Sequence, residues 1–99
     1  MNKEITVGTL DEFEKRVEEK DFTIAQIIVD SILKNLKTKK TNIHIISVNC
    51  SVEGMTYDLT LERKFFATTL QENLKYFVEH EMYEKCSVIV EAINQLSKK

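Results

Sequence analysis

Apolar positions in this chain change their period twice. From Leu10 to Leu36 they recur at threes and fours, from Ile46 to Leu61 at twos, and from Phe65 to Leu96 at threes and fours again. The outer stretches predict helices and the middle one strands. Leu10, Phe13 and Val17 form one narrow stripe on a helix opened by Thr9. Glu12 follows three residues later, a spacing that lets each side chain accept a bond from the other's backbone N–H. After a break at residues 19–21 comes a second helix, over roughly 22–37. Its Phe22, Ile24, Ala25, Ile27, Ile28, Val29, Ile32, Leu33 and Leu36 cover most of its girth, which predicts a central position.

In the middle stretch, Ile46, Val48, Cys50 and Val52 alternate with Ser47, Asn49 and Ser51. Met55, Tyr57, Leu59 and Leu61 alternate likewise with Thr56, Asp58 and Thr60. A tight turn at Glu53 and Gly54, with Gly54 at positive φ, would pair 52 with 55, 50 with 57, 48 with 59 and 46 with 61. That register sorts a two-stranded hairpin over 42–62 into one apolar and one polar face. Such a hairpin must lay its apolar face on helices, and its open edges invite a homodimer with a shared sheet. Beyond Arg63 and Lys64, Phe65, Phe66, Leu70, Leu74, Phe77 and Val78 mark a third helix. Tyr83, Cys86, Ile89, Val90, Ile93 and Leu96 mark a fourth, closed by Lys98 and Lys99, where cations oppose the helix dipole.

The expected fold is therefore α+β, in the order ααββαα. One domain spans 1–99, with a loose leader at 1–8, a helical hairpin at 9–37, the β-hairpin at 42–62 and a second helical hairpin at 65–97. No proline or linker divides it. The two helical hairpins look like copies. Val17, Glu18, Ile28, Val29 and Ile32 recur 61 positions later as Val78, Glu79, Ile89, Val90 and Ile93, and Phe22, Ala25 and Ile27 have conservative counterparts in Tyr83, Cys86 and Val88.

The second copy carries Leu70, Leu74, Val78, Glu81, Tyr83-Glu84-Lys85-Cys86, Ile89, Ile93 and Leu96. In these features it resembles the UVR motif, the helical hairpin of bacterial excision-repair proteins and of some protease-adaptor and chaperone proteins. Where that family usually has an Arg-Asp step in the second helix, this chain has Val90-Glu91. The resemblance covers about a quarter of the chain and implies association through helix packing rather than catalysis.

Charge narrows the function classes. The net charge of -2 provides no global attraction to nucleic acid or to an anionic membrane. The distribution is uneven, since residues 1–21 hold four Lys/Arg against seven Asp/Glu, whereas 22–40 hold Lys34, Lys37, Lys39 and Lys40 against Asp30 alone. Lys34 and Lys37 read as complements to the dipole at the end of the second helix. Without interleaved aromatics, the basic cluster lacks the pattern of a nucleic-acid surface, although it is the one candidate anion or nucleic-acid contact. Two cysteines and no signal peptide point to the cytoplasm, and no apolar run is long enough to span a bilayer.

Reactive constellations are sparse. His80 and Glu84 share the spacing of a zinc-binding HExxH, but a glutamate stands where the second histidine is needed. Cys50 and Cys86 occupy apolar positions and read as packing residues. His44 is expected to face Arg63 or solvent. With only Gly8 and Gly54, the chain has no glycine-rich phosphate loop. No catalytic residue, metal ligand or cofactor is assigned. The expectation is a small non-enzymatic protein-interaction module, an adaptor or inhibitor of the kind that phages and mobile elements direct at a host factor. Its interface would be drawn from Ser47, Asn49, Thr56, Asp58, His80, Glu81 and Glu84. The competing expectation is a ligand- or nucleic-acid-binding regulator using the four lysines.

Overall fold

The computed structural model describes residues 4–19 and 21–97. Residues 1–3 of the expected leader and the closing Lys98 and Lys99 lie outside the described residues. The order of elements is β1 (Glu4–Val7), α1 (Leu10–Glu18), α2 (Phe22–Lys34), β2 (Asn42–Cys50), β3 (Met55–Glu62), a 3-10 turn (Arg63–Phe65), α3 (Phe66–Glu79) and α4 (Tyr83–Ser97). Among the described residues the fold is α+β, with four α-helices and one three-stranded sheet in the order β1-β2-β3. No helix among the described residues is long and apolar enough to cross a membrane.

The third strand corrects the expectation of a loose leader and a two-stranded clasp. Glu4–Val7 pairs in parallel with β2, Ile5 beside Val48 and Val7 beside Cys50. Four residues with two apolar side chains carry too faint an alternation to stand out in the sequence, and β2 supplies the partner that makes them a strand. The pairing runs on past β1, because Ser51 N–H donates to Val7 O and Val52 N–H to Gly8 O, both at 2.9 Å.

Those two bonds also account for the register of the hairpin. With Ser51 and Val52 held against β1, the chain turns through residues 51–54, and Gly54 N–H donates to Cys50 O at 2.8 Å. The observed pairs are Cys50 with Met55, Val48 with Tyr57 and Ile46 with Leu59. Each partner has moved two residues from the expected register. Because the shift is even, the apolar and polar faces stay as expected. Gly54 has φ 66°, the left-handed conformation expected of it. A bulge between His44 and Ile46 lets Ile43 and Ile46, three residues apart, sit opposite Leu61 and Leu59 on the same face.

Helix α2 lies between the sheet and the α3/α4 pair, touching β2 on one side and α3 and α4 on the other. Ile24, Ala25, Val29 and Ile32 are buried along it, as its wide apolar girth predicts. Phe66, Leu70 and Phe77 of α3 and Ile89 and Ala92 of α4 complete the core with Ile43, Ile45, Ile46, Val48 and Cys50 of the sheet. Phe22, at the start of α2, meets Phe77 edge-on at 5.0 Å and stacks on His80 at 3.8 Å.

The sequence repeat reappears in local structure. Glu19 N–H donates to Lys15 O as His80 N–H does to Tyr76 O, Asp21 to Arg16 O as Met82 to Phe77 O, and Ala25 to Asp21 O as Cys86 to Met82 O. Each pair of bonds is offset by the same 61 residues. The bonds from Met82 to Phe77 and from Glu81 to Val78 make a Schellman close at the end of α3, with Glu81 at φ 57° where glycine is the usual residue. Tertiary packing does not repeat. α3 and α4 lie along one another, whereas α1 packs chiefly on β1 and β2, so residues 9–37 do not form the expected helical hairpin. Val29 is 0% exposed and its counterpart Val90 44%, because α2 is covered on two sides and α4 on one.

Candidate functional site

Among the described residues β1 and β3 are the edge strands of the sheet, and the outer edge of β3 is the longer of the two. β2 occupies one side of Met55–Glu62, and no strand among the described residues occupies the other. On the inner face, Leu59 is 36% exposed. It lines a groove of about 440 Å³ with Leu10, Phe13 and Val17 of α1 and Ile28 of α2, whose charged lining residues among those described are Glu14 and Glu18. Helix α1 is held there from both ends. Thr9 Oγ1 accepts from Glu12 N–H at 3.3 Å, and Glu53, reaching across from the β2–β3 loop, accepts from Leu10 N–H at 2.8 Å. The Glu12 carboxylate accepts from Gly8 N–H at 3.0 Å rather than from Thr9, so the expected capping box forms with its second half one residue earlier. At the other end of α1, Arg16 pairs with Asp21 at 2.8 Å, and Asp21 accepts from Thr23 N–H at 2.9 Å to cap α2.

The opposite face of the sheet is polar, and four expected interface residues meet there. Ser47 Oγ donates to Asp58 Oδ1 at 2.7 Å, His44 Nε2 lies 3.0 Å from Ser47 Oγ and 3.2 Å from the same Asp58 oxygen, and Thr56 Oγ1 donates to Asn49 Oδ1 at 2.9 Å. His44 thus faces Ser47 and Asp58, not Arg63. The bonds from Ser47 and His44 lower the Asp58 pKa, which keeps its carboxylate ionised at neutral pH. A relay of the Ser-His-Asp kind needs the two imidazole nitrogens on different partners. Here one nitrogen serves both, and the serine donates directly to the carboxylate. The cluster is an ordered polar patch.

The remaining expected interface residues, His80, Glu81 and Glu84, sit at the α3–α4 elbow, away from the sheet. Glu81 and Glu84 line a shallow depression with Met82, Tyr83, Lys85 and Val88. His80 is engaged by its stack on Phe22 and by a 2.8 Å contact of Nδ1 with Tyr76 O. Lys85 forms an ion pair with Asp30, tying α4 to α2. Cys50 is buried, and burial, with Glu53 nearby, pushes its thiol pKa up, as expected of a packing residue. Cys86 is partly buried against the core.

Lys34, Lys37, Lys39 and Lys40 are exposed, and α2 ends at Lys34. Lys34 stands in the last turn of α2, as expected, whereas Lys37 lies beyond the helix, and the cation that bonds carbonyls at that end is Arg63. Its guanidinium donates to Asn35 O and Thr38 O through Nη2 and to Lys40 O through Nε, each at 2.7 Å, and lies 5.0 Å from the Phe66 ring centroid. A planar guanidinium spreads its donors over three nitrogens, so it spans carbonyls further apart than the single nitrogen of an ammonium can. Arg63 and Leu59 are the two residues that sequence reasoning missed. An isolated arginine just after a strand was the only signal for the first, and no local pattern marked Leu59 as exposed. Comparison with protein-family models, with curated proteins and with solved structures found no match.

Proposed function

We propose that this chain is a small non-enzymatic interaction module, an adaptor or inhibitor that binds a protein partner, in the manner of a phage or mobile-element accessory protein acting on a host factor. The observation that carries this reading is the unpaired β3 edge beside the groove formed by Leu10, Phe13, Val17, Ile28 and Leu59. Unpaired strand edges are templates for another chain, and natural sheets normally guard them. The polar patch around Ser47 and Asp58 and the elbow around Glu81 and Glu84 are further contact surfaces on this reading. The test is affinity capture with the whole chain from lysates of candidate hosts, followed by calorimetry on the purified pair. A single partner binding at a fixed stoichiometry is the expected result, and nothing above background from any host would end the reading.

One observation favours a second reading. Lys37, Lys39 and Lys40 lie beyond the end of α2, where Arg63 bonds the carbonyls, and none of the ammonium groups of the four lysines has a bonded partner among the described residues. On this reading they contact phosphates, and affinity for a short duplex falls steeply between low and physiological salt. A flat salt response, or no binding, discards it.

A further inference from the structure

We propose that the β3 edge takes an extended segment of a partner protein in which apolar residues alternate with Lys or Arg. The inference rests on the protein-binding reading and names the chemistry of the partner. Three features of the edge support it.

The first is the absence of a lysine, a proline or an outward bulge as guard. Natural edges carry lysine, proline or a bulge that discourages pairing. Met55–Glu62 contains no lysine and no proline, and the one bulge lies on β2, on the side already paired. The second is the period of the two surfaces flanking the edge. A strand added beside β3 turns alternate side chains to opposite faces. One set meets Leu59 and the groove, where Val17 is 44% exposed. The other set meets Thr56, Asp58, Thr60 and Glu62, all exposed. The third is charge. The groove's charged lining residues are Glu14 and Glu18, with no ion pair to either among the described residues. Across the strand stand Asp58, bonded to Ser47 and His44, and Glu62, paired with Lys64 at 3.2 Å. With Glu62 offset by Lys64, the acidic balance of the edge rests on Glu14, Glu18 and Asp58, and it favours a segment of the opposite sign.

The same charges argue against a second copy of this chain as occupant. Antiparallel self-pairing centred on Asp58 opposes two aspartates directly, which is destabilising. Centring it on Leu59 relieves that clash but sets the Glu14 and Glu18 rims of both copies on the same side of the joined sheet.

The experiment measures anisotropy of a fluorescein-labelled ten-residue peptide alternating valine and lysine, and of its counterpart with glutamate for lysine, against the full chain. The lysine peptide is expected to bind at least tenfold more tightly than the glutamate peptide and to slow hydrogen exchange in β3. Leu59→Gln is expected to weaken it tenfold or more. The double substitution Thr60→Lys with Glu62→Lys, at exposed positions on the face that the peptide's lysines meet, is expected to reverse the preference. Equal affinity for both peptides, no binding of either, or no response to these substitutions overturns the proposal. A dimer with β3 protected in the absence of peptide overturns it in favour of a second copy. A lysate partner captured equally by the wild type and by Leu59→Gln leaves the protein-binding reading standing and removes the edge from it.

Discussion

The Arg63 guanidinium lies 2.7 Å from the Asn35 carbonyl, 28 residues earlier in the chain, and so closes the C-terminus of α2 from the far end of the β-hairpin. Asn35 is the C-cap of α2, so its carbonyl has no intrahelical partner, and the other carbonyls that Arg63 takes lie beyond the helix. Here Arg63 Nη1 also reaches Leu36 O at 3.4 Å, Nη2 reaches Thr38 O and Thr38 Oγ1, Nε reaches Lys40 O, and Arg63 N–H donates to Thr41 O. One residue thereby links the central helix, the segment entering β2 and the start of α3.

Arg63→Ala is expected to destabilise the chain by about 2–4 kcal/mol, since charge-assisted bonds are the strong ones and their carbonyls would be left half-buried. Arg63→Lys is expected to recover less than half of that, because an ammonium lacks the planar fork. Urea unfolding followed by circular dichroism measures both, through the midpoint at unchanged slope.

Glu81 and Gly54 make a reciprocal pair of backbone predictions. Both have positive φ, 57° and 66°. Glu81→Gly removes the Cβ penalty at the close of α3 and is expected to stabilise by about 1 kcal/mol. Gly54→Ala is expected to destabilise by about 1 kcal/mol even though its Cβ would meet nothing within 4 Å, so its effect isolates the backbone term. Thermal midpoints moving in opposite directions are the readout.

Repeat-related positions should respond unequally. Val29→Ala empties space at a site 0% exposed and is expected to cost about 2–3 kcal/mol. Val90→Ala, at a site 44% exposed, is expected to change stability by less than about 0.5 kcal/mol. Equal losses in denaturant midpoint would contradict the central placement of α2.

Acid sensitivity follows from Asp21. Burial alone would raise its pKa, but the Arg16 side chain and the amides of Ile24 and Thr23 outweigh it, so the carboxyl lies below its ordinary 3.8. A depressed folded pKa means that the unfolded chain takes up the proton first. The stabilisation is therefore complete above 3.8 and is lost as pH falls through the lower, folded value. Asp58 is lowered as well and acts in the same direction. Asp21→Asn keeps a good helix cap and is expected to flatten this acid limb while changing stability at neutral pH by at most about 1 kcal/mol, consistent with losing a partly exposed ion pair. Asp21→Ala is expected to lose about 1 kcal/mol at neutral pH. Unfolding curves taken from pH 7 to pH 2 distinguish the three chains.

Much of the molecule was readable from residue order. The four helices, the helix–break–helix joints 61 residues apart, the polar and apolar faces of the hairpin and the positive φ of Gly54 all follow from side-chain period and local backbone chemistry, which act between residues a few positions apart. Four of the expected interface residues, Ser47, Asn49, Thr56 and Asp58, do lie together on the sheet, because an even register shift leaves each on its face. The elbow residues and the lysines do not join them.

What needed the folded chain depends on partners far apart in sequence. Val7 and Gly8 accept the bonds that reset the hairpin, Glu53 caps α1, and Arg63, rather than Lys37, joins Lys34 at the end of α2. Nothing in the local pattern of either partner encodes such a meeting, since its free energy appears only when both arrive. The two helix pairs make the same point. Nearly the same alternation of residues yields a buried helix when a sheet and two helices cover it and a half-exposed one when α3 and part of α2 do, so burial, and with it the open edge at Leu59, was decided by tertiary packing.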